Sequence, residues 1–299
     1  MEIWVLTNTE DASSYGINRF TEEAKKMDID LHVVLPHECD LIVTQEGKRS
    51  IRLHGNTVDK LPDCVIPRGI GQSYFGLAIL RHLEQLGVFI LNNNRAIRVA
   101  ADKLATIQML SRKNIPIPKT MLAKFPLNLE LIKKEFVFPL VLKKITGSQG
   151  RGTMICDTEN ALSDVVDMID PKSNIIFQEC MKDSLGKDLR VIVVGGRVIG
   201  AMLRKAKPGS FKANYSIGGK VENADVTPEM EWLAIESTNT IGLELSGVDL
   251  LFDGSSFRIC EVNATPGFKG FEEATKINVA RQILEFVQIR LNMVSENSV

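Results

Sequence analysis

The stretch "GVDLLFDGSSFRICEVNATPGFKGFE", residues 247–272, holds two apolar runs separated by a short polar connection. Each run carries a polar residue where a buried strand should be apolar: Asp249 in the first, Glu261 and Asn263 in the second. Side chains two apart on a strand share a face, so Glu261 and Asn263 project together. A hairpin that sets Asp249 opposite Glu261 leaves a five-residue connection, Asp253 to Phe257, within the common range. All three side chains then lie on one face, and Thr265-Pro266-Gly267 turns the chain away just beyond them. Oxygen ligands without His or Cys suit a hard cation, Mg²⁺ or Mn²⁺, which keeps its remaining positions for water and phosphate. The competing reading is an edge pattern turned to solvent, because Asp and Glu are seldom buried unpaired.

Working upstream, "VLKKITGSQGRG" places Lys143 and Lys144 at the end of an apolar strand, ahead of Gly147, Gly150 and Gly152. Glycines let backbone N–H groups close on phosphate oxygens. The spacing is neither Gly-Lys-Ser/Thr opening a helix nor Gly-x-Gly-x-x-Gly, so a solvated hairpin turn competes. In "AMLRKAKPGSFKAN", Arg204, Lys205, Lys207 and Lys212 cluster; a charge run is most simply a solvated face. Nucleic-acid binding would want interleaved aromatics, and Phe211 and Tyr215 are thin support. In "FQECMKDSLGKDLR", a strand ends at Gln178-Glu179-Cys180-Met181, and Asp188 precedes Arg190. Backbone groups at such a strand end can hydrogen-bond a flat purine, against the plainer reading of strand, loop and strand.

The 299-residue chain is long enough for two or three small domains. Its net charge of −1 gives no global pull toward nucleic acid or acidic membranes. No apolar run is long enough to cross a bilayer, and "MEIWVLTN" reads as a first strand rather than a signal peptide. Five scattered cysteines without Cys-x-x-Cys speak against a disulfide framework or zinc site and for a reducing cytoplasm. None of the four histidines has helical metal-ligand spacing.

Strand and helix signals alternate up to about Asn93, predicting a small α/β domain with a parallel sheet over 1–93. Within it, "LIVTQEGKRSIRL" reads as two short strands joined at Glu46-Gly47-Lys48. Asn94 can cap a helix over Arg95–Lys113, and the prolines of "NIPIPKT" then break the chain, giving a helix and linker over 94–120. Over 121–183, two strands flank the glycine turn, followed by a helix from Glu159 to Ile169 and the strand "NIIFQEC". Over 184–299, two strands meet at Gly195-Gly196, a good hairpin turn. The polar segment "KPGSFKANYSIGGKVENADV" shows no period and reads as a long functional or unordered loop. Helices from Thr227 to Leu243 and from Glu272 to Met293 bracket the opening hairpin. Mostly antiparallel strands with helices on one side make this second part α+β.

The order of these signals resembles the ATP-grasp fold: a lysine on a helix (Lys103, in "AADKLATIQML"), a lysine ahead of a glycine turn, an acidic strand end, a basic loop, then Asp…Glu-x-Asn. "GKDLRVIVVGGRVIGAMLRKA", "GSFKANYSIGGKVE" and the opening stretch resemble the RimK-type branch, the α-L-glutamate ligases, over roughly Leu91 to Leu291. The resemblance implies an α/β and α+β chain in which a small parallel domain precedes two subdomains that grip ATP. It implies Lys103 and Lys143 on the ATP phosphates, with Gly147, Ser148 and Gly150 closing over them. It implies Glu179 and Cys180 at the adenine, Asp188 at the ribose, and Lys212 and Asn214 facing the nucleotide. Arg204 would stabilise the transferring phosphoryl group, and Asp249, Glu261 and Asn263 would hold two Mg²⁺ or Mn²⁺ ions. One departure is Lys212, where the branch pattern has Arg; lysine keeps the charge but loses the bidentate fork.

The activity so implied is ATP-dependent ligation of a carboxylate to an amine, with L-glutamate as the amine. The acceptor would be a protein C-terminus, such as that of a ribosomal protein, or a small coenzyme or metabolite. Phosphoryl transfer needs positioning and charge neutralisation more than a protein nucleophile, which explains the missing Ser-His-Asp or Cys-His set. Membrane and nucleic-acid partners are not expected; a homo-oligomer, a tetramer by resemblance, is. Two rival readings are a non-catalytic nucleotide-binding protein of the same fold and RNA binding through Arg204 to Lys212.

Overall fold

The computed structural model describes residues 1–8, 11, 13–45, 50–145, 152–211, 213, 215 and 218–296. β1 (Glu2–Thr7), α1 (Tyr15–Lys26), β2 (Asp30–Val34), β3 (Cys39–Leu41), β4 (Ile51–Leu53), β5 (Asn56–Thr57), β6 (Cys64–Arg68), α2 (Tyr74–Gln85) and β7 (Phe89–Ile90) follow in order. β1, β2, β6 and β7 make the expected all-parallel sheet, in the order β2-β1-β6-β7. Such a sheet is covered on both faces, and β6 is accordingly buried from end to end. The antiparallel pair β3–β4 matches the two short strands read from the sequence, while their junction at Glu46-Gly47-Lys48 lies outside the described residues.

The single helix expected over Arg95–Lys113 is two. α3 (Asn94–Ala101) is capped by Asn93, one residue earlier than expected, and α4 (Lys103–Arg112) by Asp102. Asp102 breaks the run because its carboxylate accepts from the N–H groups of Leu104 and Ala105, the N-cap role that favours non-helical backbone at that residue. Lys103 therefore opens a helix instead of riding in the middle of one.

β8 (Thr120–Ala123), α5 (Leu129–Glu135), β9 (Leu140–Lys144), β10 (Thr153–Cys156), α6 (Glu159–Met168) and β11 (Ile175–Glu179) form a second unit. Its antiparallel sheet runs β10-β9-β11-β8, over a core that includes Leu140, Leu142, Leu162 and Phe177. The third sheet runs β14-β13-β12-β15-β16, from β12 (Lys187–Val194), β13 (Arg197–Lys205), β14 (Lys220–Ala224), β15 (Leu245–Asp253) and β16 (Ser256–Asn263). Its helices are α7 (Pro228–Ile241), α8 (Lys269–Thr275) and α9 (Val279–Glu296). Thus the segment read as one long loop ends in an edge strand, β14. The C-terminal helix expected from Glu272 is two helices, parted at Lys276, whose φ is 63°.

One face of the third sheet sends Leu189, Val191, Val248, Leu250 and Val262 into the core shared with α7. The other face changes character along its length. At one end Ile192, Val194, Met202 and Leu245 pack with α8, α9 and α1; at the other stand Asp188, Arg190, Arg204 and Asp249. The turn at Gly195-Gly196 is as expected: both residues have positive φ, 58° and 76°, as a type I′ hairpin demands.

Candidate functional site

The register of β15 and β16 does set Asp249 opposite Glu261 and Gly247 opposite Asn263, but by another route than a five-residue loop. The strands pair to Asp253↔Ser256, so the turn has two residues, Gly254 and Ser255, with Gly254 at φ 61°. The register then shifts between Asp249 and Leu250, which leaves Cys260 without a ladder partner. Two residues opposing one is a β-bulge. It carries Cys260 and Glu261 toward the charged end of the sheet while Ile259 and Val262 stay in the core.

Strand pairing assembles the charges around this point. Asp188 and Arg204 are register partners on β12 and β13, and Arg190 and Asp249 on β12 and β15. Arg204 is 2% exposed and grips Asp188 through two bonds, Nε to Oδ1 at 2.5 Å and Nη2 to Oδ2 at 2.9 Å. Its Nη2 also lies 2.8 Å from Asp249 Oδ2. Arg190 holds Asp249 from the other side, at 2.7 and 2.8 Å. Burial alone would lower the pKa of Arg204, but Asp249 and Asp188 raise it above the ordinary guanidinium value. Burial likewise pushes Asp249 toward neutrality, and the two arginines win, lowering its pKa and keeping it ionised.

The second sheet reaches this cluster through Lys143. Its Nζ donates to Gln178 Oε1 at 2.6 Å and lies 3.4 Å from the Cys260 thiol. Cys260 is raised in pKa chiefly by burial, against the pull of Lys143 and together with Asp249, Glu261 and Asp188. Four residues expected from the sequence, Lys143, Asp188, Asp249 and Glu261, thus surround one thiol that the sequence reading left out, and a fifth, Arg204, is bonded to two of them. Arg190 and Gln178 were also left out. The signal for Arg190 was there: in "KDLRVIVV", Asp188 and Arg190 alternate with Leu189 and Val191.

Other expected residues stand apart. Glu179 ends β11 and is tied to the chain before β8, its Oε2 accepting from Lys119 N–H at 3.2 Å and pairing with Arg258 at 3.4 Å. Cys180 follows, half-buried, with a thiol pKa raised by burial. Lys103 is half-buried at the start of α4. Asn263 Oδ1 accepts from Thr265 N–H at 2.9 Å. Gly147, Ser148, Gly150, Lys212 and Asn214 lie outside the described residues.

The donors at the β15–β16 face fit a hard cation. They are all oxygen, and among the described residues Glu261 has neither a hydrogen bond nor an ion pair. Asp249 is shared with two guanidinium groups. No group of three His, Cys, Asp or Glu side chains among the described residues could hold an ion. An ion on Glu261 and Asn263 would complete its shell from phosphate oxygens or water, as Mg²⁺ commonly does.

Against known proteins, residues 1–97 match the RimK PreATP-grasp domain and residues 100–287 the RimK-like ATP-grasp domain. A probable alpha-L-glutamate ligase of Legionella pneumophila (strain Corby) is 34% identical over 288 residues, 95% of this chain and 94% of that protein. Probable alpha-L-glutamate ligase 1 of Shewanella denitrificans is 37% identical over 281 residues, 93% of this chain and 95% of its own. Among solved structures, the ATP-grasp ligase PsnB complexed with minimal precursor superposes with a TM-score of 0.77 at 18% identity, covering 97% of this chain and 98% of its own. D-alanine–D-alanine ligase from Bacillus anthracis complexed with ATP gives 0.72 at 15% identity, covering 100% of both chains. The two superpositions show the ATP-grasp fold, and the family matches, which span nearly the whole length, go further: this chain belongs to the RimK-like ATP-grasp family of ATP-dependent ligases.

Proposed function

We propose that the protein joins a carboxylate to an amine at the expense of ATP, with L-glutamate as the amine and a protein C-terminus or a small coenzyme or metabolite as the carboxylate. The observation that carries this reading is the meeting of Lys143 from one sheet with Asp188, Asp249 and Glu261 from another around Cys260, with Arg204 bonded to Asp188 and Asp249. A bound divalent ion would neutralise phosphate charge at Glu261 and Asn263. The chain's own residues supply the rest. Lys143 offers a cation to the nucleotide phosphates, and Arg204, held by Asp188 and Asp249, is a pre-positioned cation beside them. A carboxylate oxygen attacks the γ-phosphorus, the bond to the β,γ-bridging oxygen breaks, and ADP leaves. The amine nitrogen then attacks the acyl carbon, the C–O bond to phosphate breaks, and the amine gives up a proton. The relatives, named as probable alpha-L-glutamate ligases, support glutamate as the amine.

The test is mass spectrometry of products from ATP, Mg²⁺, L-glutamate and an acceptor panel, with ADP release followed in parallel. A gain of one glutamyl mass on an acceptor, absent with Glu261→Ala, is the expected result. If wild type and Glu261→Ala bind ATP equally and neither releases ADP with any acceptor, the protein is a non-catalytic nucleotide binder instead.

A further inference from the structure

β1 and β6 end side by side in the first sheet, with Thr7 and Arg68 as register partners. Both project to the face of Ile3, Val5, Cys64 and Ile66, toward α1 and Phe268. Thr7 is fully buried and Arg68 is 9% exposed, yet Thr7 Oγ1 and Arg68 Nη1 have no hydrogen-bond partner among the described residues. The other end of the fork is occupied: Arg68 Nη2 donates to the Pro266 carbonyl at 2.7 Å, and the guanidinium lies 5.6 Å from the Phe268 ring. A buried cation with an idle N–H is expensive and calls for a partner. Asp11 acts on Arg68 through space but forms no ion pair with it among the described residues, and burial lowers the Arg68 pKa to about 10.

The first turn of α1 borders the same spot. Its N-cap, Ser14, makes no side-chain capping bond, and no acidic residue stands in the first turn. The second helical residue is Gly16, where a Cβ would come 3.9 Å from Arg68 Nη2 and 3.5 Å from Phe268. Helix N-termini carry partial positive charge and idle N–H groups. The C-terminal ends of parallel strands are where open α/β sheets take ligands. Pro266 is three residues beyond Asn263, so this spot adjoins the chain leaving the β15–β16 face.

We infer that Thr7 Oγ1, Arg68 Nη1 and the first turn of α1 form a subsite for a carboxylate of one of the organic substrates, resting on the ligase reading above. One guanidinium charge, one hydroxyl donor and a helix terminus match a singly charged planar anion. The carboxylate belongs to the glutamate or to the acceptor, and binding measurements separate these sources.

Equilibrium titration of the full chain, with ADP and Mg²⁺ present, uses L-glutamate in one arm and N-acetyl-L-aspartate and citrate in the other. Thr7→Val keeps shape and removes the hydroxyl; Arg68→Lys keeps charge and removes the fork. Each variant is expected to weaken one of these carboxylates about 10-fold or more, with ADP affinity unchanged, as loss of a hydrogen bond to a charged group does. The arm affected names the source. The inference is overturned if no carboxylate binds wild type, or if those that do bind both variants as tightly; the idle donors then hold only water. Melting curves verify folding, and Thr7→Val carries the test should Arg68→Lys not fold. Because binding needs no turnover, a wild type that takes up glutamate but releases no ADP sinks the ligase reading and leaves the subsite standing.

Discussion

Arg204 and Glu261 sit within one charged cluster and answer to opposite constraints. Arg204 is buried and bonded to two carboxylates; Glu261 is half-buried and has no hydrogen bond or ion pair among the described residues. Arg204→Ala leaves Asp188 and Asp249 buried without their cation and is expected to cost about 3–5 kcal/mol, read from urea unfolding. Glu261→Gln removes a charge the fold does not use, so stability should stay within about 0.5 kcal/mol while ADP release falls about 100-fold or more. If the two variants lose stability alike, Glu261 is a structural residue and not a ligand. Most of this cluster was legible, because polar residues at alternate positions of "KDLRVIVV" and "FRICEVN" mark one face of a strand. Cys260 was not, since a two-residue period counted from Glu261 and Asn263 puts it on the opposite face, and only the bulge lets Cys260 and Glu261 both turn toward Asp249.

Elements were legible where their own termini specify them. Thr227 caps α7, its hydroxyl accepting from Met230 N–H, and Gly242 ends the helix at φ 82°. Gly195 and Gly196 turn the β12–β13 hairpin on their own conformational preference. Elements that depend on neighbours were missed. α5 buries Ile132 alone among its seven residues, and β14, an edge strand, is mostly exposed and so shows no apolar alternation. One contact between elements yields a pH dependence. His82 on α2 shares a 2.6 Å hydrogen bond with Ser50, and burial lowers its pKa below the ordinary 6.5. On acidification the unfolded chain takes up this proton first, so its contribution is full above pH 6.5 and is lost as pH falls through the lower folded value. His82→Gln should flatten that part of the stability–pH curve, measured by thermal unfolding from pH 7.5 downward. An unchanged slope would assign the dependence elsewhere.

At the scale of the whole molecule, a buried amide just beyond the first sheet bonds into the third, beside the apolar core the two sheets share. Asn92 Oδ1 accepts from the N–H groups of Glu244 and Leu245 at 2.7 and 2.9 Å, and its Nδ2 donates to the carbonyls of Leu245 and Ala264 at 2.7 and 2.8 Å. All four hydrogen-bonding positions of the amide are filled, across more than 150 residues of sequence. No local pattern announces such a link, which is why the sequence placed the sheets but not their junction. Asn92→Ala should cost about 2–4 kcal/mol, because it strands four backbone groups. Hydrogen exchange at the Leu245 amide should accelerate in step; unchanged exchange would mean the junction is held elsewhere. The bulge has a consequence at this scale too. Counting back from Asp253↔Ser256, a regular ladder would seat Cys260, not Glu261, across from Asp249. Cys260 is therefore a supernumerary residue: a hairpin one residue shorter, lacking Cys260, would keep every observed cross-strand pairing. Its thiol is the one group in the cluster held by the bend of a strand instead of by a rung, and Lys143 of the second sheet rests against that bend.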